Sequence, residues 1–167
     1  MGNYRPIKNI NFSNLKRSNI MFRDFSGRPS RYNKNGARSF CVRIDDPQLA
    51  QELNEEGWNI KILAPREEDQ EPLHYLNVAV AYTNYPPHIY IHSGPTTTEL
   101  NEDTIGLLDD ADIISADLVV RPYQYERDDG TMGIKAYAKY MHVTVEQDPY
   151  AAKYAGEETP EDDIPWR

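Results

Sequence analysis

Cysteine is almost missing from this chain of 167 residues. Cys41 stands alone, which excludes an intramolecular disulfide and a cysteine-based zinc cluster and leaves nothing to argue for an oxidising compartment. It sits in Phe40-Cys41-Val42, an apolar run where a small buried residue is expected rather than an exposed, activated thiol. Histidine is scarce as well, with four in all. His88 and His92 are four apart in a β-rich segment, a spacing that sets both on one strand face and does not make a helical metal clamp. Neither a metal nor a cofactor is expected. No run approaches the roughly 20 apolar residues of a membrane-spanning helix. The polar, basic N-terminus lacks the apolar stretch of a signal peptide, so a soluble cytoplasmic protein without membrane contact is expected.

Signs of catalysis are also wanting. There is no phosphate-binding glycine loop, no nucleophile elbow and no zinc-protease histidine pair. Paired acids are plentiful, but each has a local use: Asp45-Asp46 caps a helix, Asp109-Asp110 ends one, Asp128-Asp129 makes a turn and Asp162-Asp163 lies in a tail. None reads as an inward-facing acid–base pair, and the chain is read as a non-enzyme.

Basic charge is short overall, with 18 Lys and Arg against 27 Asp and Glu. The average hides a segregation. Residues 1–43 carry ten basic side chains and one acid, Asp24, for a balance of +9, while the remainder carries −18. Such asymmetry points to a nucleic-acid-facing surface joined to an acidic tail. The tail begins near residue 150, and from Glu157 two prolines and five acids fall within eleven residues, too little apolar surface to fold alone. Residues 1–149 therefore read as one domain and 150–167 as a disordered, acidic protein-interaction tail. Residues 1–12 either join a sheet edge through Ile7, Ile10 and Phe12 or stay loose.

The body between reads as mainly β. Strands are expected at 20–25, 38–44, 58–63, 75–82 and 88–92, the last pairing with 75–82 across Tyr85-Pro86-Pro87. Asp45-Asp46-Pro47 starts a short helix that Gly57 stops. A second is expected over 101–110, capped by Asn101 and anchored by Ile105 and Leu108. Two long strands, 113–125 and 132–145, flank Asp129-Gly130 as a hairpin. Six or seven strands with one or two small helices suggest a closed β-barrel, with a β-sandwich as the alternative.

Two surfaces have the composition to hold an irregular polyanion. In the last hairpin Lys135, Tyr137 and Lys139 share one strand face, and Arg121, Tyr123 and Tyr125 share one on the partner strand. A two-residue turn sets the two groups on opposite sides, whereas a three- or five-residue loop brings them together. The loop 26–38 places Arg28, Arg31, Lys34 and Arg38 around Tyr32, and Arg23 and Arg43 are expected to line the same groove. Cations interleaved with aromatics suit a single strand, because every base offers a π-face and every nucleotide a phosphate.

The tail tip, Asp162-Asp163-Ile164-Pro165-Trp166, joins two carboxylates to an apolar hook. It resembles the C-terminal tip of bacterial and phage single-stranded DNA-binding proteins, with Trp166 where that family has Phe and Arg167 one residue further on. The body, through Phe25-Ser26-Gly27-Arg28 and Val119 to Tyr123 (Val-Val-Arg-Pro-Tyr), resembles phage-encoded single-stranded DNA-binding proteins over most of residues 20–154. The resemblance implies an OB-like β-barrel, closed or partly open, working in phage DNA replication or recombination in the cytoplasm of an infected bacterium. The implied partners are single-stranded DNA and, through the tail, replication or recombination proteins, with self-association left open. The alternative is an acidic interaction factor, a DNA mimic or host-protein binder, that does not bind DNA.

Overall fold

The computed structural model describes residues 6–29, 36–65, 67–83 and 85–146. In them, chain order runs β1 (Ile10–Lys16), β2 (Ile20–Asp24), β3 (Arg38–Ile44), α1 (Pro47–Glu56), β4 (Ile60–Leu63), β5 (Leu73–Val80), β6 (His88–Ser93), β7 (Thr96–Leu100), β8 (Ile113–Glu126) and β9 (Met132–Val145). Short 3-10 turns occupy Arg17–Asn19 and Ile105–Asp109. The fold is mainly β, as expected.

The strands make one sheet whose main path is β1-β8-β9-β5-β3-β2, with β4 added to β5, β6 to β9 and β7 to β6. The two ends of that path, β1 and β2, are separated in sequence only by Arg17–Asn19. The sheet must therefore curl until its ends approach. No strand pairing joins them among the described residues, so of the two expected barrel forms the partly open one is found, and there is no sandwich of two sheets. Polar side chains bridge the opening. Asn19, buried, accepts from the Lys16 N–H at 2.9 Å and donates to the Arg43 carbonyl at 3.1 Å and to Asp45 at 2.7 Å. One guanidinium nitrogen of Arg23 donates to the carbonyls of Leu108 at 3.0 Å and Ala111 at 2.8 Å.

Strand alternation fills the interior. Phe40, Val42 and Ile44 of β3 face Leu76, Val78 and Val80 of β5, and Leu118 and Val120 of β8 join Ile134, Ala136 and Met141 of β9 in the same core. Each large side chain buried this way contributes about 1.5–3 kcal/mol. Phe25 and Phe40, at the two ends of the basic loop, are fully buried and stack with ring centroids 4.9 Å apart. Both belong to the hydrophobic core.

Helix α1 follows its sequence signals. Asp46 accepts from the Gln48 N–H at 3.0 Å, Pro47 occupies the first turn, and Gly57 ends the helix at φ 113°, a left-handed cap that glycine adopts without strain. Ala50 and Leu53 bury one face. At the N-terminal edge, β1 pairs with β8 and Ile10 and Phe12 are buried, so from Ile10 onward the chain joins the sheet edge, while residues 1–5 lie outside the described residues.

Three expectations change. The strand at 88–92 pairs with β7 and, in parallel, with β9 rather than with β5. β7, Thr-Thr-Thr-Glu-Leu, carried no strand signal because only Leu100 is buried and nothing alternates. The second helix is a 3-10 turn over Ile105–Asp109; Asn101 accepts from the Asp103 and Thr104 N–H groups one turn earlier, and Ile105 and Leu108 are buried as expected. Trp58 precedes β4, pairs with the sheet through an isolated bridge to Ile134 and is buried in the core.

Candidate nucleic-acid interface

Loop length decides the last hairpin. Glu126 pairs with Met132, leaving the five residues Arg127–Thr131 as the turn. The Arg127 N–H donates to the Thr131 carbonyl at 2.7 Å, and Asp129 accepts from the Thr131 N–H at 2.9 Å and hydroxyl at 2.6 Å. These bonds hold the Asp129 carboxyl below its ordinary value, with the Thr131 hydroxyl as the largest cause. With this odd-numbered loop the register is Arg121↔Tyr137, Tyr123↔Lys135 and Tyr125↔Gly133. The two groups left undecided by the sequence therefore lie on the same outward face.

On that face cations and rings are already in contact. The Arg121 guanidinium carbon lies 4.8 Å from the Tyr137 ring centroid and 5.2 Å from that of Tyr85. The Lys135 ammonium sits 5.2 Å from the Tyr137 ring, and Tyr123 meets Tyr137 edge-on at 6.2 Å. Tyr125 lies against Gly133, where an added Cβ would fall 2.7 Å from the tyrosine Cζ. Only glycine lets the ring approach the strand this closely, and the Arg127 guanidinium carbon, which also crowds Gly133, lies 5.8 Å from the ring centroid.

A β-bulge continues the face along β9. Val119 pairs with Tyr140 and Val120 with Ala138, so Lys139 has no opposite residue on β8. Both Lys139 and Tyr140 are exposed, and beyond them the outward positions switch from odd to even numbers, with Met141 and Val143 buried. The switch aligns β9 with β6. His88 stacks on Tyr140 at 5.5 Å and Tyr90 on His142 at 4.8 Å, while His92 and His142 share a 2.9 Å hydrogen bond. A cleft of about 460 Å³ lined by Tyr85, Pro86, His88, Arg121, Lys139 and Tyr140 joins this ladder to the hairpin face. Sequence reasoning missed Tyr85, Tyr90, Tyr140 and His142: the bulge that turns Tyr140 and His142 outward leaves no mark in the alternation until both partner strands are known, Tyr90 joins them only through the parallel pairing of β6 with β9, and Tyr85 stands outside any strand.

The other expected residues that the structure describes have partners of their own. Arg23 is committed to the carbonyls across the barrel opening, and Arg43 pairs with Asp45 at 2.8 Å. Arg38 pairs with Glu102 at 3.4 Å and lies 5.7 Å from the Tyr82 ring. Burial pushes the Tyr82 phenol up to about 12 against the lowering pull of Arg38. Arg28 is exposed beside Asp24, which accepts from its backbone N–H at 3.2 Å. The expected common groove of Arg23, Arg43 and the loop is thus not assembled by the described residues. Arg31, Tyr32 and Lys34 lie outside them, as do Asp162, Asp163, Ile164, Pro165 and Trp166. Cys41 is buried, as expected, and burial raises its thiol pKa. Among the described residues no cluster of three or more metal-ligating side chains occurs, and no helix is long and apolar enough to cross a membrane.

A curled, partly open sheet that offers outward cations and stacking rings defines a class of oligonucleotide-handling barrels. The chain belongs to the family described as "Putative phage ssDNA-binding domain", which matches residues 3–165. Among solved structures it is similar to the single-stranded DNA-binding protein from bacteriophage Enc34 in complex with ssDNA, with a TM-score of 0.53 and 14% identity over 88% of this chain and 96% of that one. The same bacteriophage Enc34 protein in its own structure gives a TM-score of 0.51 and 13% identity over 98% and 97% of the two chains. Its C-terminal truncation gives 0.51 and 14% over 87% and 95%. No curated protein sequence matches this chain.

Proposed function

We propose that this protein binds single-stranded DNA with little sequence preference, holding it on the outward face of the β8–β9 hairpin. The observation that carries the reading is the register that sets Arg121, Tyr123 and Tyr125 beside Lys135 and Tyr137. In it, Arg121, Lys135 and Lys139 hold phosphates, and Tyr123, Tyr125 and Tyr137 stack bases, contacts that carry little base information. Arg28, Arg31, Tyr32, Lys34 and Arg38 of the basic loop are proposed to add further DNA contacts. Family membership supports the reading, as does a solved relative of similar fold described in complex with ssDNA. No chemical step belongs to this role, which fits phage DNA replication or recombination in the host cytoplasm.

The C-terminal residues extend the proposal to protein partners. An acidic run ending in Ile164-Pro165-Trp166 suits a small apolar pocket rimmed by Lys or Arg, and recruits a replication or recombination protein. Its acids also compete with DNA for the cationic face. Deleting residues 157–167 is expected to leave DNA affinity equal or tighter while abolishing partner binding.

The test is fluorescence anisotropy of a labelled thymidine oligomer of about 30 nucleotides at two salt concentrations, with the matching duplex as control. Tight binding to the single strand that weakens with salt, and weak binding to the duplex, is expected. No binding at low salt overturns the proposal.

A further inference from the structure

We infer that the bound strand does not run along β9 but crosses the barrel, from the β8–β9 hairpin over β5 and β3 to a second stacking pair, Phe22 and Tyr75. This rests on the DNA-binding reading above and extends it to a site outside the hairpin and the basic loop. Phe22 lies in β2 where pairing with β3 is irregular, between Met21 and Asp24. Its φ is 50°, a left-handed conformation that bulky L-residues rarely adopt. The ring is 60% exposed, so the core gains nothing from this arrangement. Strain spent on presenting an apolar ring to solvent is a functional signal when a ligand of matching chemistry is at hand.

The register supplies the connection. Tyr123 pairs with Lys135, Asn77 with Cys41, and Cys41 with Met21. Lys135 and Asn77 are neighbours across the parallel β9–β5 contact, each one residue before the pair Ala136↔Val78, and they line one cleft with Lys61 and Tyr125. One row on this side of the sheet thus crosses β8, β9, β5, β3 and β2, with Cys41 buried at its β3 position. Four strand steps of about 4.8 Å make it about 19 Å long.

Its two ends are alike. At the hairpin, Tyr123 and Tyr137 meet edge-on at 6.2 Å, flanked by Arg121 and Lys135. At the far end, Phe22 and Tyr75 meet edge-on at 5.9 Å, and Tyr75 pairs with Arg43 on one side and Lys61 on the other. Asp45 holds Arg43, which leaves Lys61 as the exposed cation there. The alternative path along β9 meets Glu99 beside His88 and Asp117 opposite His142, carboxylates that repel a phosphate backbone.

The experiment compares thymidine oligomers of about 6 and about 15 nucleotides on wild type, Phe22→Ala, Phe22→Trp and Tyr137→Ala, with light scattering of each protein. Phe22→Ala is expected to weaken the longer oligomer about 5- to 100-fold and to leave the shorter within twofold, because the short one is held by the hairpin end. Phe22→Trp restores the loss, and Tyr137→Ala weakens both. Unchanged binding of the longer oligomer by Phe22→Ala, with Tyr137→Ala impaired, overturns the crossing path alone. A loss accompanied by a fall in molecular mass assigns Phe22 to self-association and also overturns it. Failure of wild type to bind either oligomer removes the DNA-binding reading itself.

Discussion

Arg121 and Tyr137 stand directly opposite each other on β8 and β9, and the guanidinium carbon lies 4.8 Å from the ring centroid. The cation organises two rings at once, since Tyr85 lies 5.2 Å from the same carbon. In the proposed site the two residues would act on DNA through different physics. Arg121→Ala is expected to weaken single-strand binding and to reduce the salt dependence by about one phosphate's contribution. Tyr137→Ala is expected to cost about 1–3 kcal/mol with the salt dependence unchanged, because stacking displaces no counterions. Titrations of both variants over a range of salt separate the two effects. Equal salt slopes for Arg121→Ala and wild type would argue against a phosphate contact.

Gly133 tests whether Tyr125 takes part. An added Cβ would meet Tyr125 Cζ at 2.7 Å and Arg127 Cζ at 2.9 Å, both far ends of flexible side chains that swing aside. Gly133→Ala should therefore change stability by no more than about 1 kcal/mol, while displacing the Tyr125 ring and weakening DNA binding. Thermal unfolding beside an oligonucleotide titration gives both values. Unaltered affinity would take Tyr125 out of the site.

The turn makes its own prediction. Asp129 is held below its ordinary value chiefly by the Thr131 hydroxyl. Its folded value thus lies below its unfolded one. The contact's contribution to stability is fully present above the unfolded aspartate value and is lost as pH falls through the folded value. Thr131→Val removes the 2.6 Å bond and should raise the Asp129 carboxyl toward the ordinary range, as read by carboxyl carbon resonances against pH. An unmoved titration would contradict the assigned cause.

Cys41 offers a check on the outward side of β3. Its neighbours by register are Asn77 and Met21, and its Sγ donates to the Asn77 side-chain oxygen Oδ1 at 3.5 Å. Burial raises its pKa, so the thiol is expected to react with a chromogenic disulfide reagent only after unfolding. Rapid reaction of the native protein would mean that this part of the sheet opens.

Where local chemistry dictates structure, the sequence was readable. Asp46, Pro47 and Gly57 bound α1 because caps act within a few residues, and the alternation in 113–125 and 132–145 identified both long strands. The outward identity of Lys135 and Tyr137 followed from the same alternation. What could not be read depended on distant partners. The bulge at Lys139, which turns Tyr140 and His142 outward, exists only relative to β8. The parallel pairing of β6 with β9 brings together segments 50 residues apart, as in the His92–His142 bond. Charge alone did not show the intramolecular partners of Arg23, which bonds carbonyls across the barrel opening, or of Arg43, which pairs with Asp45.

The most direct measurement is the change in backbone amide chemical shifts when a short thymidine oligomer is added to isotope-labelled protein. The account predicts that the largest shifts fall in Arg121–Tyr125 and Gly133–Tyr140, while those in α1 stay small. Shifts concentrated in α1 and β4, with the β8–β9 hairpin unmoved, would contradict it.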